Sequence, residues 1–482
     1  MSSHDLYIFS HPLSTSHLPT MFTLAKRSQL SGKVYDVRWP LLDGTKTCKA
    51  PEIFVKTHFT SAFYRFKRLK TNVDNTVKNR QGSLFVFIDM LNQLISILLS
   101  PCSFAISEKV PKSTESQPIA LIDPYGFGCT VAHARAIDAK IAYVAPMIES
   151  SSIQALSASP LTSYASSMIQ GGIEPNLRNR LGNAIGHIVF RLFFVQLPLA
   201  KWYYPQSRGL KHFSLPTESM VFVNGHKFVD QVLPRTNLIV DIGGFHVEHE
   251  ERSTEDAKNQ IASFMAQYDD IVFISLGTFT ADGQFPKLWK KMFIKAILKY
   301  PKVGFIWKFK PDSVEKPPRN LLLLDGFIPQ NSLLESPKMT GFITNLGQNS
   351  FLEALRNGVP VIGIPILGDQ SVTSEKVTRL GIGIVFSLPE ATDEILTNAI
   401  RKCLDKKSKI VKRSQLIRDM LIHERETGIA TDGSHALSRL AKLKQTDFDK
   451  FYLPKSSIPF YAYWMLDWAL LTFVLATIFA LF

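Results

Sequence analysis

The chain has 482 residues, 45% of them hydrophobic and 20% charged, which excludes a disordered protein and predicts two globular domains with additional segments. The formal net charge of +14 favours an anionic partner, such as a nucleic acid, a membrane surface or a small anionic molecule. The densest basic run, Arg401–Arg413, predicts a helix with a solvated face, and no zinc finger, RNP motif or basic zipper favours nucleic acid. The four cysteines are irregularly spaced and predict neither a metal site nor a disulfide framework.

The first half of the chain alternates short apolar runs with polar connectors, a pattern typical of strands joined by helices. It opens with the strand LYIFS, the helix TMFTLAKRSQL and the strand VYDVRWP, which together predict a βαβ unit. The apolar segment Ser83–Leu99 is interrupted by Asp89, Asn92 and Gln93, so we predict a core or groove helix there rather than a membrane span. Residues 118–146 predict a strand, a glycine-rich turn, a helix and another strand.

The segment Leu238–Gln260 marks a change, because an apolar strand ends there in a Gly-Gly turn that a charged stretch follows. The alternation of predicted strands and helices then resumes with the strand IVFISLGTFT, the helix FPKLWKKMFIKAILKYP and the strands VGFIWKFK and NLLLLDGFIPQ. Two such halves predict a doubly wound α/β protein with a cleft between its domains. We place the domains at residues 1–245 and 246–425, followed by a helical segment at 426–457.

The C-terminal segment Ile458–Phe482 is apolar apart from Asp467. A helix from Trp464 to the end would be about 28 Å long, close to the roughly 30 Å of a bilayer core. Trp464 and Trp468 suit the interface of a membrane. We predict a membrane anchor at residues 458–482, the alternative being a buried helix that docks on the protein.

The most informative stretch is FITNLGQNSFLEALRNGVPVIGIPILGDQ, from Phe342 to Gln370. It predicts a strand, a turn, a helix that Gly358 caps and Pro360 ends, a second strand and a loop. Both polar loops follow strands, and the carboxyl ends of strands are where open α/β sheets bind ligands.

The residue types in these loops suit a phosphate flanked by a sugar. Asn349 and Ser350 stand at the start of the helix, where backbone N–H groups and the helix dipole favour an anion. Glu353 lies one turn further on the same face and could accept hydrogen bonds from a ribose diol. Asp369 and Gln370 would face a polyhydroxylated group. Each residue alone has an ordinary helix-capping explanation, and the inference depends on their combination.

This stretch resembles the signature of the UDP-glycosyltransferases of the UDP-glucuronosyl and UDP-glucosyl type, with animal and nematode-like sequences most similar. The matching positions are Phe342, Ile343, Thr344, Gly347, Asn349, Ser350, Glu353, Gly358, Val359, Pro360, Pro365, Asp369 and Gln370. The segments DIGG, ISLGT, FIWKF, FIPQNSLL and YWMLDW also look like segments of that family.

The resemblance implies a GT-B fold, in which two Rossmann-like domains face a cleft, with a C-terminal transmembrane helix and an endoplasmic-reticulum membrane location. The N-terminal domain would take a lipophilic acceptor and the C-terminal domain a UDP-sugar, with no metal and no cofactor besides this co-substrate. Association with itself or with related transferases is also expected. The implied donor-binding residues are Ser275, Thr278, Phe327, Gln330, Asn345, Gly347, Asn349, Ser350, Glu353, Asp369 and Gln370.

The implied reaction needs a general base, and a histidine suits this role near neutral pH. His17 occupies the family's position for that base, with His11 as a nearby competitor. Asp123 is the only carboxylate in the segment that would supply its acidic partner. A direct alignment of DPYGFG puts Ala120 at the acid's position, and a three-residue offset puts Asp123 there.

Three positions depart from the family pattern: Asn345 replaces a histidine, Leu346 a glycine and Phe327 a tryptophan. The Leu346 side chain is expected to crowd the approach of a phosphate to the backbone. Two hypotheses therefore remain. The chain transfers glucose or glucuronic acid from a UDP-sugar to a hydroxyl-bearing lipophile, or it is a non-catalytic relative that binds a lipophile or modulates a partner transferase.

Overall fold

The computed structural model describes part of the chain. The described residues are 4–9, 18–28, 30, 34–38, 52–54, 117–124, 131, 134–135, 137–145, 153, 156–157, 159, 176–190, 219–227, 229–230, 235–248, 254–277, 287–326, 328–366, 370–426, 433–443 and 466–481. The predicted helix at Ser83–Leu99 lies outside them.

The first sheet has seven parallel strands in the order β3-β2-β1-β4-β5-β6-β7. The strands are β1 Leu6–Phe9, β2 Val34–Arg38, β3 Glu52–Phe54, β4 Ile119–Ile122, β5 Lys140–Ala145, β6 Met220–Val223 and β7 Ile239–Asp241. Helix α1, Leu18–Arg27, joins β1 to β2, so the predicted βαβ opening is confirmed.

The second sheet has six parallel strands in the order β10-β9-β8-β11-β12-β13. They are β8 Asp270–Ser275, β9 Val303–Lys308, β10 Leu321–Leu324, β11 Met339–Thr344, β12 Val361–Gly363 and β13 Gly383–Val385. In both sheets the order reverses beside the first strand, which is the doubly wound arrangement that the sequence predicted.

Ten further α-helices lie in the described part of the chain. They are α2 Leu177–Phe190, α3 Glu255–Met265, α4 Lys287–Leu298, α5 Gln330–Leu334, α6 Gln348–Asn357, α7 Gln370–Leu380, α8 Asp393–Leu404, α9 Lys409–Glu426, α10 Gly433–Lys442 and α11 Leu466–Leu481.

Each sheet has a hydrophobic core on both faces, which is why its strands are almost continuously apolar. In the second sheet, Phe273 and Phe342 of adjacent strands stack on one face with ring centroids 5.2 Å apart. Trp307 packs on the other face against Phe293 of α4. The two faces together fix the position of β11 at the centre of the sheet.

Helix α10 returns to the first sheet, although its sequence follows the second. Its residues Ala436 and Leu437 share a core with Met21 of α1. The Lys140 ammonium group donates to the carbonyl oxygens of Leu440 and Ala441, at 3.3 and 2.5 Å. This cation at the C-terminal end of α10 satisfies carbonyl groups that the helix leaves unpaired.

The prediction of one helix across Arg401–Arg413 is wrong, because the chain turns at residues 405–408 between α8 and α9. The Asp405 carboxylate accepts from the backbone N–H of Lys407 at 2.9 Å, and the Ser408 hydroxyl accepts from that of Val411 at 3.3 Å. Such side-chain bonds to the local backbone compete with helix continuation and start a new helix. Most of the basic side chains are exposed, as expected.

The predicted membrane anchor at Ile458–Phe482 is not confirmed. The described part of this segment is the 16-residue helix α11, about 24 Å long and shorter than a bilayer core of about 30 Å. Among the residues that the structure describes, none of the helices combines the length and apolar character needed to cross a membrane.

Candidate functional site

The predicted donor residues that the structure describes lie at the carboxyl edge of the second sheet, where β8 and β11 lie side by side. Ser275 and Thr344 are register partners at the ends of these strands, and both are buried. Beyond them, Gly277 adopts a φ of +82°, and a β-carbon there would lie 2.6 Å from the Asn345 amide nitrogen. This is the switch point of the sheet, where the chain leaves neighbouring strands in opposite directions and opens a crevice.

Helix α6 points its N-terminus into this crevice. Gly347 is its N-cap residue, and no side chain caps the helix. The helix ends as predicted at Gly358, which adopts a left-handed conformation with a φ of +66°. An N-terminus without a side-chain cap, at the carboxyl edge of a parallel sheet, suits a phosphate group.

The expectation that Leu346 would crowd a phosphate is wrong. Its side chain is fully buried in the core beneath α6, and it lies where a β-carbon of Gly363 would otherwise stand. The backbone accommodates this with a φ of +64° at Leu346, an unfavourable value for a leucine. The departure from glycine therefore changes the core and leaves the crevice open.

Gln330, Ser350 and Glu353 form one hydrogen-bonded cluster. The Gln330 side-chain amide donates to the Ser350 hydroxyl at 2.9 Å and to Glu353 Oε2 at 2.6 Å. Glu353 is 8% exposed, although it is a carboxylate. Because a carboxylate accepts about four hydrogen bonds, Glu353 retains capacity for ligand hydroxyl groups.

Two residues that the sequence did not single out also interact with Glu353, one by close contact and one electrostatically. His246 follows the Gly-Gly turn after β7, in the short 3-10 helix Phe245–Glu248, and its Nε2 lies 3.1 Å from Glu353 Oε1. Burial lowers the pKa of Lys308 at the end of β9, while the nearby carboxylates of Asp325 and Glu353 raise it. The sequence signals nearest to them are the DIGG segment before His246 and the FIWKF segment that contains Lys308, but neither pattern indicates that its residue approaches Glu353.

Asn349 lies in the contact between the two sheet domains. Its side-chain oxygen accepts from the Asn224 side chain, at the end of β6, at 2.7 Å. The neighbouring Gln348 donates to the Asn224 carbonyl oxygen at 2.8 Å. The start of α6 is therefore tied to the first sheet at the same residues that would face a donor phosphate.

A buried ion pair strengthens this contact. Lys376 of α7 lies 2.7 Å from Asp230, which follows β6, and both side chains are 1% exposed. The Lys376 ammonium group also donates to Gln348 at 3.3 Å. Arg379 donates to the carbonyl oxygens of Val229 and Asp230.

The other predicted residues divide between described and undescribed parts of the chain. Gln370 begins α7, and its side-chain oxygen accepts from the Ile366 N–H at 2.7 Å. Asp123 is fully buried directly after β4, and its N–H donates to the carbonyl of Phe9 at 3.0 Å, at the switch point of the first sheet. Ala120 is buried inside β4. Four predicted site residues lie outside the described residues: His17, Thr278, Phe327 and Asp369.

The described part of the chain contains no cluster of three histidine, cysteine, aspartate or glutamate side chains able to hold a metal ion. Cys403, the only cysteine in that part, is buried in the core of the second sheet as a free thiol. Burial raises the pKa of this thiol to about 12.

The second sheet is a doubly wound parallel sheet with polar side chains at its carboxyl edge, and comparisons with known proteins identify the family. Residues 46–425 match the family described as "UDP-glucoronosyl and UDP-glucosyl transferase". The chain therefore belongs to the UDP-glucuronosyl and UDP-glucosyl transferase family, as the sequence motif indicated. Enzymes of this family use a UDP-sugar as donor.

Individual relatives agree with this assignment at low identity. UDP-glucosyltransferase 2 of Dactylopius coccus is 28% identical over 215 residues, which is 44% of this chain and 40% of that protein. The putative UDP-glucuronosyltransferase ugt-55 of Caenorhabditis elegans is 27% identical over 263 residues, 54% of this chain and 49% of that protein. Thus the chain spans less than half the length of these curated relatives.

Solved structures show the fold. A UDP-glucosyltransferase of Polygonum tinctorium, described as capable of glucosylating indoxyl, superimposes with a TM-score of 0.57 at 13% identity, over 92% of this chain and 99% of that one. A UDP-glucose: anthocyanidin 3-O-glucosyltransferase in complex with UDP gives a TM-score of 0.51 at 14% identity, over 91% of this chain and 99% of that one. The predicted GT-B arrangement of two parallel-sheet domains is confirmed.

Proposed function

We propose that the protein transfers a sugar from a UDP-sugar to a hydroxyl-bearing lipophilic small molecule. The observation that carries the proposal is the cluster at the edge of the second sheet. There the N-terminus of α6, capped only by Gly347, stands next to the carboxylate of Glu353. The helix end suits a diphosphate, and the carboxylate suits the two hydroxyl groups of a ribose.

The acceptor would bind between the sheets, with its hydroxyl oxygen attacking the anomeric carbon as UDP departs. His17 would take the proton of that hydroxyl group, and Asp123 would hold the His17 ring in the productive tautomer. Support comes from the position of Asp123 at the switch point of the first sheet. The endoplasmic-reticulum location and the association with related transferases stay predictions of the sequence.

Calorimetric titration of UDP into the full chain tests the donor site. We expect UDP to bind, and Glu353→Gln to weaken the binding about tenfold or more, because the variant loses a charge-assisted acceptor. Glu394→Gln is the matched control, since Glu394 is exposed at the start of α8. Equal affinity in the Glu353 variant and the wild type would contradict the placement of the ribose.

A second candidate function is donor or lipophile binding without transfer. Asn345 favours it, because its neutral amide packs against Gly277 at the position where the family signature has a histidine. Release of UDP from UDP-glucose or UDP-glucuronic acid, measured with a panel of phenolic and alcoholic acceptors, separates the two. Turnover that His17→Ala abolishes supports transfer, whereas UDP binding without turnover supports the second function.

A further inference from the structure

Helix α4, on the outer side of the second sheet, carries an unusually basic exposed face. Residues 287–302 contain six lysines and no acidic residue. The opposite side of the helix is buried in the sheet core, through Trp289, Met292, Phe293, Ala296 and Ile297. The basic side therefore points away from the protein.

The exposed side combines cations with apolar side chains. At about 100° per residue, Lys287, Leu288, Lys291, Lys295, Leu298 and Lys299 fall within an arc of roughly 120°, and we call these six residues the lysine face. Its two leucines are 68% and 59% exposed. Each leucine lies between two lysines around the arc, and all four lysines are exposed.

We propose that the lysine face is a docking surface for an anionic lipid bilayer. A bilayer interface accepts both kinds of side chain at once. Leucines enter the acyl boundary while the long lysine side chains extend to the head groups. Anionic head groups attract lysines near the surface, and several such contacts act together.

Other anionic partners fit the lysine face less well. Phosphates of a nucleic acid would pair with the lysines but offer the two leucines nothing apolar. A protein groove that encloses a basic helix needs access to more than one side of it, and five residues of α4 are held in the core. Of the four lysines, Lys299 has an acidic partner, Asp393, at 3.4 Å. That exposed pair is weak and leaves the face cationic.

The test is partitioning of the full chain between buffer and vesicles of phosphatidylcholine, with and without about one-third phosphatidylserine. The measured quantity is the partition coefficient on anionic vesicles divided by the partition coefficient on neutral vesicles. A contribution of the apolar helix α11 that does not depend on lipid charge is the same for both vesicles and cancels in this ratio. We expect a ratio of about ten or more for the wild type. The double variant Lys291→Glu/Lys295→Glu is expected to bring it near one, since each lysine at the surface changes partitioning roughly fivefold.

The control is Lys258→Glu/Lys412→Glu, which changes the net charge equally through exposed lysines on α3 and α9. The ratio of this control is expected to stay within about twofold of the wild-type ratio. The wild-type ratio should fall steeply as the salt concentration rises, because salt screens the lysines from the head groups. An equal loss in both double variants would assign the effect to net charge and overturn the proposal. A ratio near one for the wild type would also overturn the proposal. The same holds if the wild type binds duplex RNA more tightly than anionic vesicles and the Lys291→Glu/Lys295→Glu variant loses that RNA binding.

Discussion

His246 and Glu353 meet across the two parts of the chain, with Nε2 of the histidine 3.1 Å from Oε1 of the carboxylate. His246 follows the last strand of the first sheet, and Glu353 lies in the helix that begins the donor crevice. The opposite oxygen of Glu353 accepts from Gln330. The carboxylate proposed to bind ribose is thus held from two sides, and one of them is the segment that joins the domains.

The first prediction concerns this contact. Replacing His246 with leucine keeps a side chain of similar size but removes the ring nitrogen that lies 3.1 Å from a buried carboxylate oxygen. We expect the free energy of unfolding, from denaturant melts without UDP, to fall by on the order of 1 kcal/mol. Saturating UDP should reduce the difference, because a ribose hydroxyl can take the place of the ring nitrogen. A variant as stable as the wild type without UDP would contradict the structural role of this contact.

The buried pair of Asp230 and Lys376 gives a second prediction. Asp230→Asn removes one charge and leaves the ammonium group of Lys376 buried, which typically costs about 3–5 kcal/mol of unfolding free energy. The double variant Asp230→Leu/Lys376→Met removes both charges and should recover most of that loss. Thermal and denaturant melts of Asp230→Leu, Lys376→Met and their double variant measure the coupling. Additive losses in the double variant would show that the two groups do not interact.

The third prediction concerns pH. His226 Nε2 lies 2.8 Å from Glu424 Oε2, yet burial outweighs the nearby carboxylates and lowers the pKa of His226 below its usual 6.5. The unfolded chain therefore takes up this proton first as the pH falls, so stability decreases through and below about pH 6.5. His226→Gln should remove this part of the decrease.

Denaturant melts of the wild type and His226→Gln between about pH 8 and 5 measure the effect as a difference. The difference is needed because burial raises the pKa of Asp241, which acts with the opposite sign. His226 lowers that pKa, so the difference between the two proteins includes this coupling. A raised carboxyl pKa contributes stability at low pH that is lost as the pH rises. Parallel curves for the two proteins would assign the acid sensitivity to other groups.

The fourth prediction tests the position of the Leu346 side chain. Leu346→Gly relieves the left-handed backbone but empties a buried space, so the unfolding free energy should fall by about 2–4 kcal/mol. UDP affinity should stay within about twofold, because the leucine does not line the crevice. Gly363→Ala alone should also destabilise, since the new methyl group would overlap Leu346.

Combining Leu346→Gly with Gly363→Ala should recover part of the stability, because the alanine methyl group then occupies the vacated space. Denaturant melts of the two single variants and the double variant measure this compensation. A large gain in UDP affinity for Leu346→Gly would instead place the side chain in the phosphate path.

Local patterns predicted local structure well. Apolar runs bounded by polar or turn-forming residues located β1, β8 and β11, and the glycine at position 358 marked the end of α6. The same reasoning failed at the basic run 401–413, because the hydrogen bonds of Asp405 and Ser408 override the helical composition around them. It also misjudged Leu346, since the sequence does not reveal whether a side chain at a strand end turns toward the crevice or the core.

The sequence by itself determined the class of fold, the family and the stretch that forms the donor crevice. Strand periodicity, helix caps and the 342–370 motif each depend on residues that are close together in the sequence. Only the tertiary structure decided which distant groups meet there. Asn349 bonds to Asn224, 125 positions away. Glu353 meets His246, and α10 returns to the first sheet. Such contacts arise when packing brings remote segments together, and no local periodicity encodes which partner a polar side chain will find.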